Sequence, residues 1–575
     1  MNKNITSDSL EYHENTKHSE ISVMTSPHYL DWNNRPYPFK IYTDLDSISL
    51  PSDFSIPSMN AILAINKSIF QYKHQDQDKD KKEYETDNNI ANIKTKTKIF
   101  TLKDLAEILF FSAGITREIK YDDNNIFYMR AASATGALYP IEVYVVCKDI
   151  DPNLKAGVYH FSPAQFSLTM IRNGDYTSLL PSIVSDDNQD ILNSDLTIIL
   201  TSYAWRNAWK YQDRSYRHWF WDSGVIAANL LAITSSMENN TSAKIHLGFI
   251  DGKVNQLLAL EKDKEATVAI ISLDVKISSN SNTKVNSITI EKLVDTSLPR
   301  NIPLSKREQK FPLIWKTHDR SKLSTIEEVK EWTKAGITQI NNFTSLNKTI
   351  IKRQYLTNEY QQQQLSNIPS IGETILKRGS TRKFSRSSIT LSNLSSILYN
   401  STRGISIDYK KEKESLIDIY LILNDVKGID SGGYFYNRSD NSLDLIKDKV
   451  SRELSAYLCL GQSLFGDASA VLFLMSNLSK TIKILGNRGY RAAQFEAGVI
   501  AGKIYLLAYA HTIGASGSTF YDDAVTEFFL PHAENKNTMI AVGIGNPDYK
   551  SRPGKILPVK FSKEQLLEKA KYIIS

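Results

Sequence analysis

Three short stretches carry residue types whose spacing could do chemistry. Arg378-Gly-Ser-Thr-Arg382 sets two guanidinium groups around a hydroxyl just ahead of a helical pattern, a donor set suited to a phosphate. Met129 to Tyr144 holds Ser133, Ala134, Thr135 and Gly136 in a loop of small residues that turns at Pro140 into a strand of Val and Tyr. Such a loop can bring backbone N–H groups, two hydroxyls and a bare glycine against a flat ligand. Lys210-Tyr211 is a candidate for proton transfer, because a lysine can stabilise a neighbouring phenolate or have its own pKa lowered by burial. Read alone, each stretch has a plainer alternative: a solvated basic turn, an Ala-rich surface turn, and a solvated lysine beside a packing tyrosine.

The elements that must position these residues come as a repeat. Thr390 to Leu398 matches Thr101 to Leu109, a helix start behind a capping threonine. Asp418-Ile-Tyr-Leu-Ile-Leu matches Glu142-Val-Tyr-Val-Val-Cys, and Gly432-Gly-Tyr-Phe-Tyr matches Gly157-Val-Tyr-His-Phe, both reading as strands. Arg488-Gly-Tyr-Arg491 and Glu496-Ala-Gly match Arg214-Ser-Tyr-Arg217 and Asp222-Ser-Gly at the head of a long helix. Four matches in one order predict two copies of one α+β fold, arranged as a pseudo-two-fold dimer within one polypeptide.

The copies differ where the chemistry lies. Leu109 and Glu142 are 33 residues apart and their counterparts Leu398 and Asp418 only 20, so the second copy lacks 13 residues, and the loss falls on the small-residue loop. Counting back through the helix match sets Arg378, Ser380 and Arg382 opposite Asn89, Ala91 and Ile93, and Lys210-Tyr211 opposite Ile484-Leu485. Each copy has kept a different half of one site. Arg214, Tyr216 and Arg217 recur in the copy without the base and read as scaffold. Asp222, Gly224, Asn229, Glu496, Gly498 and Gly502 read as packing between the two long helices.

Length and composition narrow the classes. At 575 residues the chain needs at least two domains, and 41% hydrophobic with 23% charged residues is ordinary globular composition. The net charge of +6 forms no aromatic-interleaved basic stripe, so nucleic acid is not expected. No apolar run has the length of a membrane span and the polar opening is no signal peptide, which predicts a cytoplasmic protein. Cys147 and Cys459 read as core thiols, and scattered His without paired Cys disfavours a metal. The expected segments are a disordered 1–28, an extended arm and mobile charged loop over 29–99, a first domain 100–279, a connector 280–365 and a second domain 366–575.

On these residues the chain resembles the nitroreductase-fold flavoenzymes, in tandem-domain form, and within them the SagB/ThcOx-type azoline dehydrogenases. The likeness also includes the arm Tyr29-Leu-Asp-Trp-Asn-Asn-Arg-Pro and the late Gly514-Ala-Ser-Gly-Ser-Thr-Phe-Tyr-Asp-Asp523. The resemblance implies FMN, with its phosphate on Arg378, Ser380 and Arg382, joined by Lys550 and Arg552. It implies Ser516, Gly517 and Ser518 beside the ring, and Ser133, Ala134, Thr135 and Gly136 from the first copy on the opposite side. Lys210 and Tyr211 are then the catalytic pair that takes a ring proton as hydride leaves for FMN, turning a thiazoline or oxazoline of a modified peptide into an azole. One FMN per monomeric chain, and a cyclodehydratase complex as partner, are further implications. The alternatives are a nitroreductase-like flavoprotein acting on another small molecule, and a non-catalytic scaffold of a modification complex. The loop departs from the family pattern at Ala132 and Thr135, where the family has Pro and a smaller residue.

Overall fold

Runs of Val, Ile, Leu and Tyr build two antiparallel sheets of seven strands each in the computed structural model. It describes residues 7–70, 98–120, 126–185, 188–239, 241–277, 298–340, 350–356, 365–550, 553–555 and 557–574. Across the first sheet the strands run Ser47–Ser49, Ser167–Asn173, Gly157–Ser162, Ile141–Cys147, Leu196–Tyr203, Glu265–Asp274 and Ser242–His246. Across the second they run Lys352–Tyr355, Ser442–Asp448, Gly432–Asn437, Asp418–Leu423, Ala470–Ser476, Asn537–Gly545 and Gly514–Ser518. The two orders are the same permutation of the chain, so the fold is a tandem duplication of one α+β unit. The central strands Ile141–Cys147, Leu196–Tyr203, Asp418–Leu423 and Ala470–Ser476 are buried throughout, which is why they read as continuous apolar runs and not as alternation.

The units are joined through two long helices, Ser215–Ser236 and Arg488–Ala510. Both are buried on nearly every face and apolar nearly all round, as helices enclosed between two cores must be. They meet where neither has a side chain. A Cβ on Gly224 would stand 2.6 Å from the Phe495 carbonyl oxygen, and one on Gly498 would stand 2.6 Å from that of Trp221. A reciprocal exchange of charge flanks the crossing. Arg488 and Arg491 of the second unit each place Nη1 2.6 Å from the Asp251 carboxylate of the first. Arg214 and Arg217 of the first unit reach Asp522 of the second at 2.9 and 2.7 Å. The arginines that read as scaffold in the sequence are thus the pseudo-dimer's ionic clasp.

The amino terminus departs from expectation. Asp8–Asn15 and Glu20–Met24 are helical, and Ser9, Tyr12 and His13 are fully buried. Arg217 donates to the His13 carbonyl and the Thr16 hydroxyl, and the His18 N–H donates to Asp522. The second unit does the same with Pro312–Arg320: Arg491 donates to the His318 carbonyl and the Ser321 hydroxyl, and the Leu323 N–H donates to Asp251. Tyr12 to Ser19 and Thr317 to Ser324 are therefore a further repeat, His-x-x-Thr/Ser-Lys-x-Ser, hidden by its polar composition. The segment is ordered by the clasp and not by an apolar face of its own.

Three further assignments change. Ser47–Ser49 and the helix Ala61–Phe70 belong to the first unit, although the segment 29–99 reads as arm and loop. Lys352–Tyr355, in the expected connector, is the outer strand of the second sheet. The helix Ala61–Phe70 corresponds to Ile371–Lys377, and Asn60 and Ser370, one residue before each, pair across the pseudo-two-fold axis. From that register the counterpart of Arg378 is Ser68 and not Asn89. Asn89, Ala91, Ile93 and the charged run to residue 97 lie outside the described residues. Among the described residues no helix is long and apolar enough to cross a membrane.

Candidate functional site

The small-residue loop leaves the hairpin Ile115–Lys120/Ile126–Arg130 and enters strand Ile141–Cys147. Gly136 has φ +64°, a left-handed conformation that favours glycine, and it is followed by Ala137 at +54° and Tyr139 at +50°. The loop is held from below by Asp222, whose carboxylate accepts from the Thr135 N–H (2.9 Å) and the Thr135 hydroxyl (2.8 Å). Asp222 is therefore a loop anchor, not only part of the helix packing read from the sequence. Burial pushes its pKa up to about 7, partly offset by the Thr135 donors. Ser133 and Ala134 line a small cleft with Arg130, Tyr139 and Asp222.

The phosphate-type turn of the second unit docks directly on this loop. Arg378, buried, donates from Nε to the Ala131 carbonyl (2.8 Å) and from Nη2 to the Arg130 carbonyl (2.9 Å). Ser380 is half-buried and Arg382 exposed, with the Arg382 N–H donating to the Tyr549 hydroxyl. Lys550 follows Tyr549 and is exposed; Arg552 lies outside the described residues. Thr381 ties the turn to the edge strand, its N–H donating to the Ala515 carbonyl (2.8 Å). On that strand Ser516 is buried, Gly517 exposed and Ser518 half-buried, with the Gly517 N–H donating to the Tyr505 hydroxyl and Gln462 to the Ser518 hydroxyl.

Lys210 and Tyr211 close the helix Ala204–Tyr211 of the first unit and bring the halves together. Tyr211 packs over bare Gly136, and its ring meets His218 edge-on at 4.6 Å. The Lys210 ammonium lies 5.3 Å from the Tyr211 ring centre. Burial, then the charges of Arg35 and of Arg382 from the other unit, hold the Lys210 pKa below its ordinary value. Burial and the Asp222 carboxylate push the Tyr211 phenol up, against the pull of Arg382. Of the two options open in the sequence, a phenolate eased by lysine and a lysine eased by burial, the electrostatics favour the second. The arm lies alongside: the Trp209 indole N–H donates to the Asp31 carbonyl, and Trp32 meets Trp209 edge-on while remaining 64% exposed.

The matching place on the other side of the pseudo-dimer is closed by the chain itself. Ile245 is the counterpart of Ser516, each six residues ahead of the clasp aspartate. Its N–H donates to the Ser406 carbonyl and its carbonyl accepts from the Asp408 N–H, both at 3.0 Å, so the shortened loop of the second unit adds to the edge of the first sheet. Asp408 also accepts from the Leu247 and Gly248 N–H groups. Leu485, the counterpart of Tyr211, is buried under the helix Ile326–Gln339, with the Trp332 indole donating to its carbonyl. Among the described residues, Arg378 thus meets the small-residue loop, Thr381 ties its turn to the Ser516–Ser518 strand, and Tyr211 lies on the tip of the same loop.

The nitroreductase family profile matches residues 375–546. A protein of Methanocaldococcus jannaschii named as a nitroreductase is 32% identical over 162 residues, 27% of this chain and 81% of its own length. The chain belongs to the nitroreductase family. A crystal structure named as a nitroreductase from Anabaena variabilis superposes on 94% of this chain and 100% of its own, with TM-score 0.68 and 24% identity, a likeness of fold across both units. The Escherichia coli microcin synthetase complex with bound truncated precursor aligns with 35% of this chain and 78% of that one, with TM-score 0.26 and 17% identity, too slight to support an inference. The donors present suit a flavin nucleotide: guanidinium and hydroxyl groups at one end, and two exposed glycines, Gly136 and Gly517, from opposite units at the other. Asp222 and the Tyr505 hydroxyl hold the two glycine-bearing segments and escape sequence reading. Asp222 stands in a matched motif that reads as packing, while no local pattern marks Tyr505.

Proposed function

We propose that this protein is an FMN-dependent dehydrogenase that oxidises thiazoline or oxazoline rings of a modified peptide to azoles, at one composite flavin site between its two units. The observation that carries this reading is Tyr211 packed over Gly136 of its own unit, with the charge of Arg382 from the other unit reaching both Tyr211 and Lys210, while the pseudo-equivalent place is closed by Ser406–Asp408. Arg378, Ser380 and Arg382 would hold the phosphate end, with Lys550 added from the tail. Ser516, Gly517 and Ser518 would flank the ring from one unit, and Ser133, Ala134, Thr135 and Gly136 from the other.

When bound, FMN supplies the acceptor for the hydride that leaves as the ring becomes aromatic. Lys210, whose pKa burial and two guanidinium neighbours lower, accepts the ring proton at Nζ. Tyr211 stays a phenol and positions the ring by hydrogen bonding and contact. Exposed Trp32, braced on Trp209, offers an apolar face to an incoming heterocycle.

Purified protein should be yellow with one FMN per chain. Lys210→Ala should keep the flavin and lose about 10²–10⁴-fold in turnover of an azoline-bearing peptide. Full turnover in that variant sinks the assignment of the base. Reduction of nitro compounds without azoline oxidation favours a reductase acting on another small molecule. A flavin-free wild type leaves the scaffold reading.

A further inference from the structure

A third guanidinium approaches the Arg378–Arg382 turn, and it comes from the other unit. Arg117 lies on the hairpin strand Ile115–Lys120 that leads into the small-residue loop. Its Nη2 donates to the Leu376 carbonyl at 3.1 Å. Its Nη1 lies 3.5 Å from where a Cβ on Gly379 would stand, beside the Tyr509 hydroxyl at the same distance. Its Nε–H is buried with no acceptor among the described residues. Arg378 lies close enough to feel its charge, with Nε and Nη2 already committed to carbonyls of the first unit. Two like charges are therefore held around Gly379 and Ser380, one with an orphaned donor, an arrangement that an anion would satisfy.

We propose that Arg117 is a phosphate-binding residue, so that the phosphate of the bound flavin is gripped from both units. The proposal rests on the flavin reading above and adds a phosphate contact from the unit that otherwise supplies the ring-facing loop and the Lys210–Tyr211 pair.

The test compares FMN with riboflavin, which lacks the phosphate, by quenching of flavin fluorescence on the full-length apoprotein. Wild type should bind FMN more tightly than riboflavin. Arg117→Gln should weaken FMN by about tenfold or more and leave riboflavin within about twofold. Arg117→Lys, which keeps the charge but not the fork, should fall between them and carries the test if the glutamine variant does not fold. Equal losses for both ligands, or no loss for either, overturn the proposal, and so does a wild type that binds the two flavins equally. A wild type that binds neither fails at the flavin reading itself, a result distinguishable from failure of Arg117 alone.

Discussion

The hydroxyl of Tyr211 stands 2.6 Å from the point where a Cβ on Gly136 would project. The contact joins the end of one helix to the tip of the small-residue loop, and it exists only because the loop residue has no side chain. Gly136→Ala would both displace the phenol and force alanine into a left-handed backbone at φ +64°. The expected cost is about 1–2 kcal/mol in stability, read by denaturant unfolding, with a larger fall in activity than Ala134→Gly causes. Equal activities for the two variants would separate the loop tip from the chemistry.

Lys210 should act in its neutral form, so kcat/KM should rise with pH through a midpoint below that of an ordinary lysine. Burial is the first cause of the lowering and Arg35 the second. Removing a positive neighbour eases protonation, so Arg35→Gln should move the rising limb to higher pH, a shift read from the pH profile on a fixed substrate. A limb that stays put would mean that another group sets the profile.

Asp222 should give the protein a measurable pH dependence of stability. Its folded-state pKa, raised to about 7, lies above its ordinary value, so the folded chain holds a proton that the unfolded chain has lost. That contribution is complete below the unfolded pKa and fades as pH rises through about 7. Asp222→Asn keeps an acceptor for Thr135 and cannot titrate. It should flatten the fall in urea midpoint between about pH 4 and 7, and an unchanged slope would assign the dependence elsewhere.

The clasp makes a symmetric prediction. Asp251 and Asp522 are each almost wholly buried between two arginines; burial alone would raise their pKa values, and the guanidinium charges outweigh it and hold both carboxyls well below the usual range. Replacing either by Asn leaves two guanidiniums in the interior without a counter-charge, at about 3–5 kcal/mol. Asp251→Asn and Asp522→Asn should therefore destabilise to a similar degree, although Asp522 lies beside the candidate site and Asp251 beside its closed counterpart. A large difference between their unfolding midpoints would show that the units do not share the load.

Much of this is legible because the repeat exposes it. The strands around Tyr144 and Tyr420 and the two long helices are apolar runs whose matching order predicts two copies, and the small-residue loop stands out as the place where the copies differ. What escapes is held by contacts distant in sequence. Tyr12 and His13 sit in a polar segment and are buried only because Arg217 and Tyr490 receive them. The strands Ser47–Ser49 and Lys352–Tyr355 are too short to signal themselves and take their form from the sheet edges they complete. Arg117 sits in a hairpin with no motif around it, and only the fold brings it to Gly379.

The closed side of the pseudo-dimer separates architecture from cofactor binding. Ser406–Asp408 completes the first sheet by strand addition, and the Asp408 carboxylate satisfies the Leu247 and Gly248 N–H groups. Asp408→Ala would leave those donors buried and unpaired, at about 1–3 kcal/mol. Its backbone bonds to Ile245 need no side chain, so the strand should remain in place. The variant is therefore expected to unfold at lower denaturant while still binding one flavin per chain. Two flavins per chain, measured by absorbance against protein concentration, would show that Asp408 keeps a second functional site shut and that the duplicated fold has lost less than its loops imply.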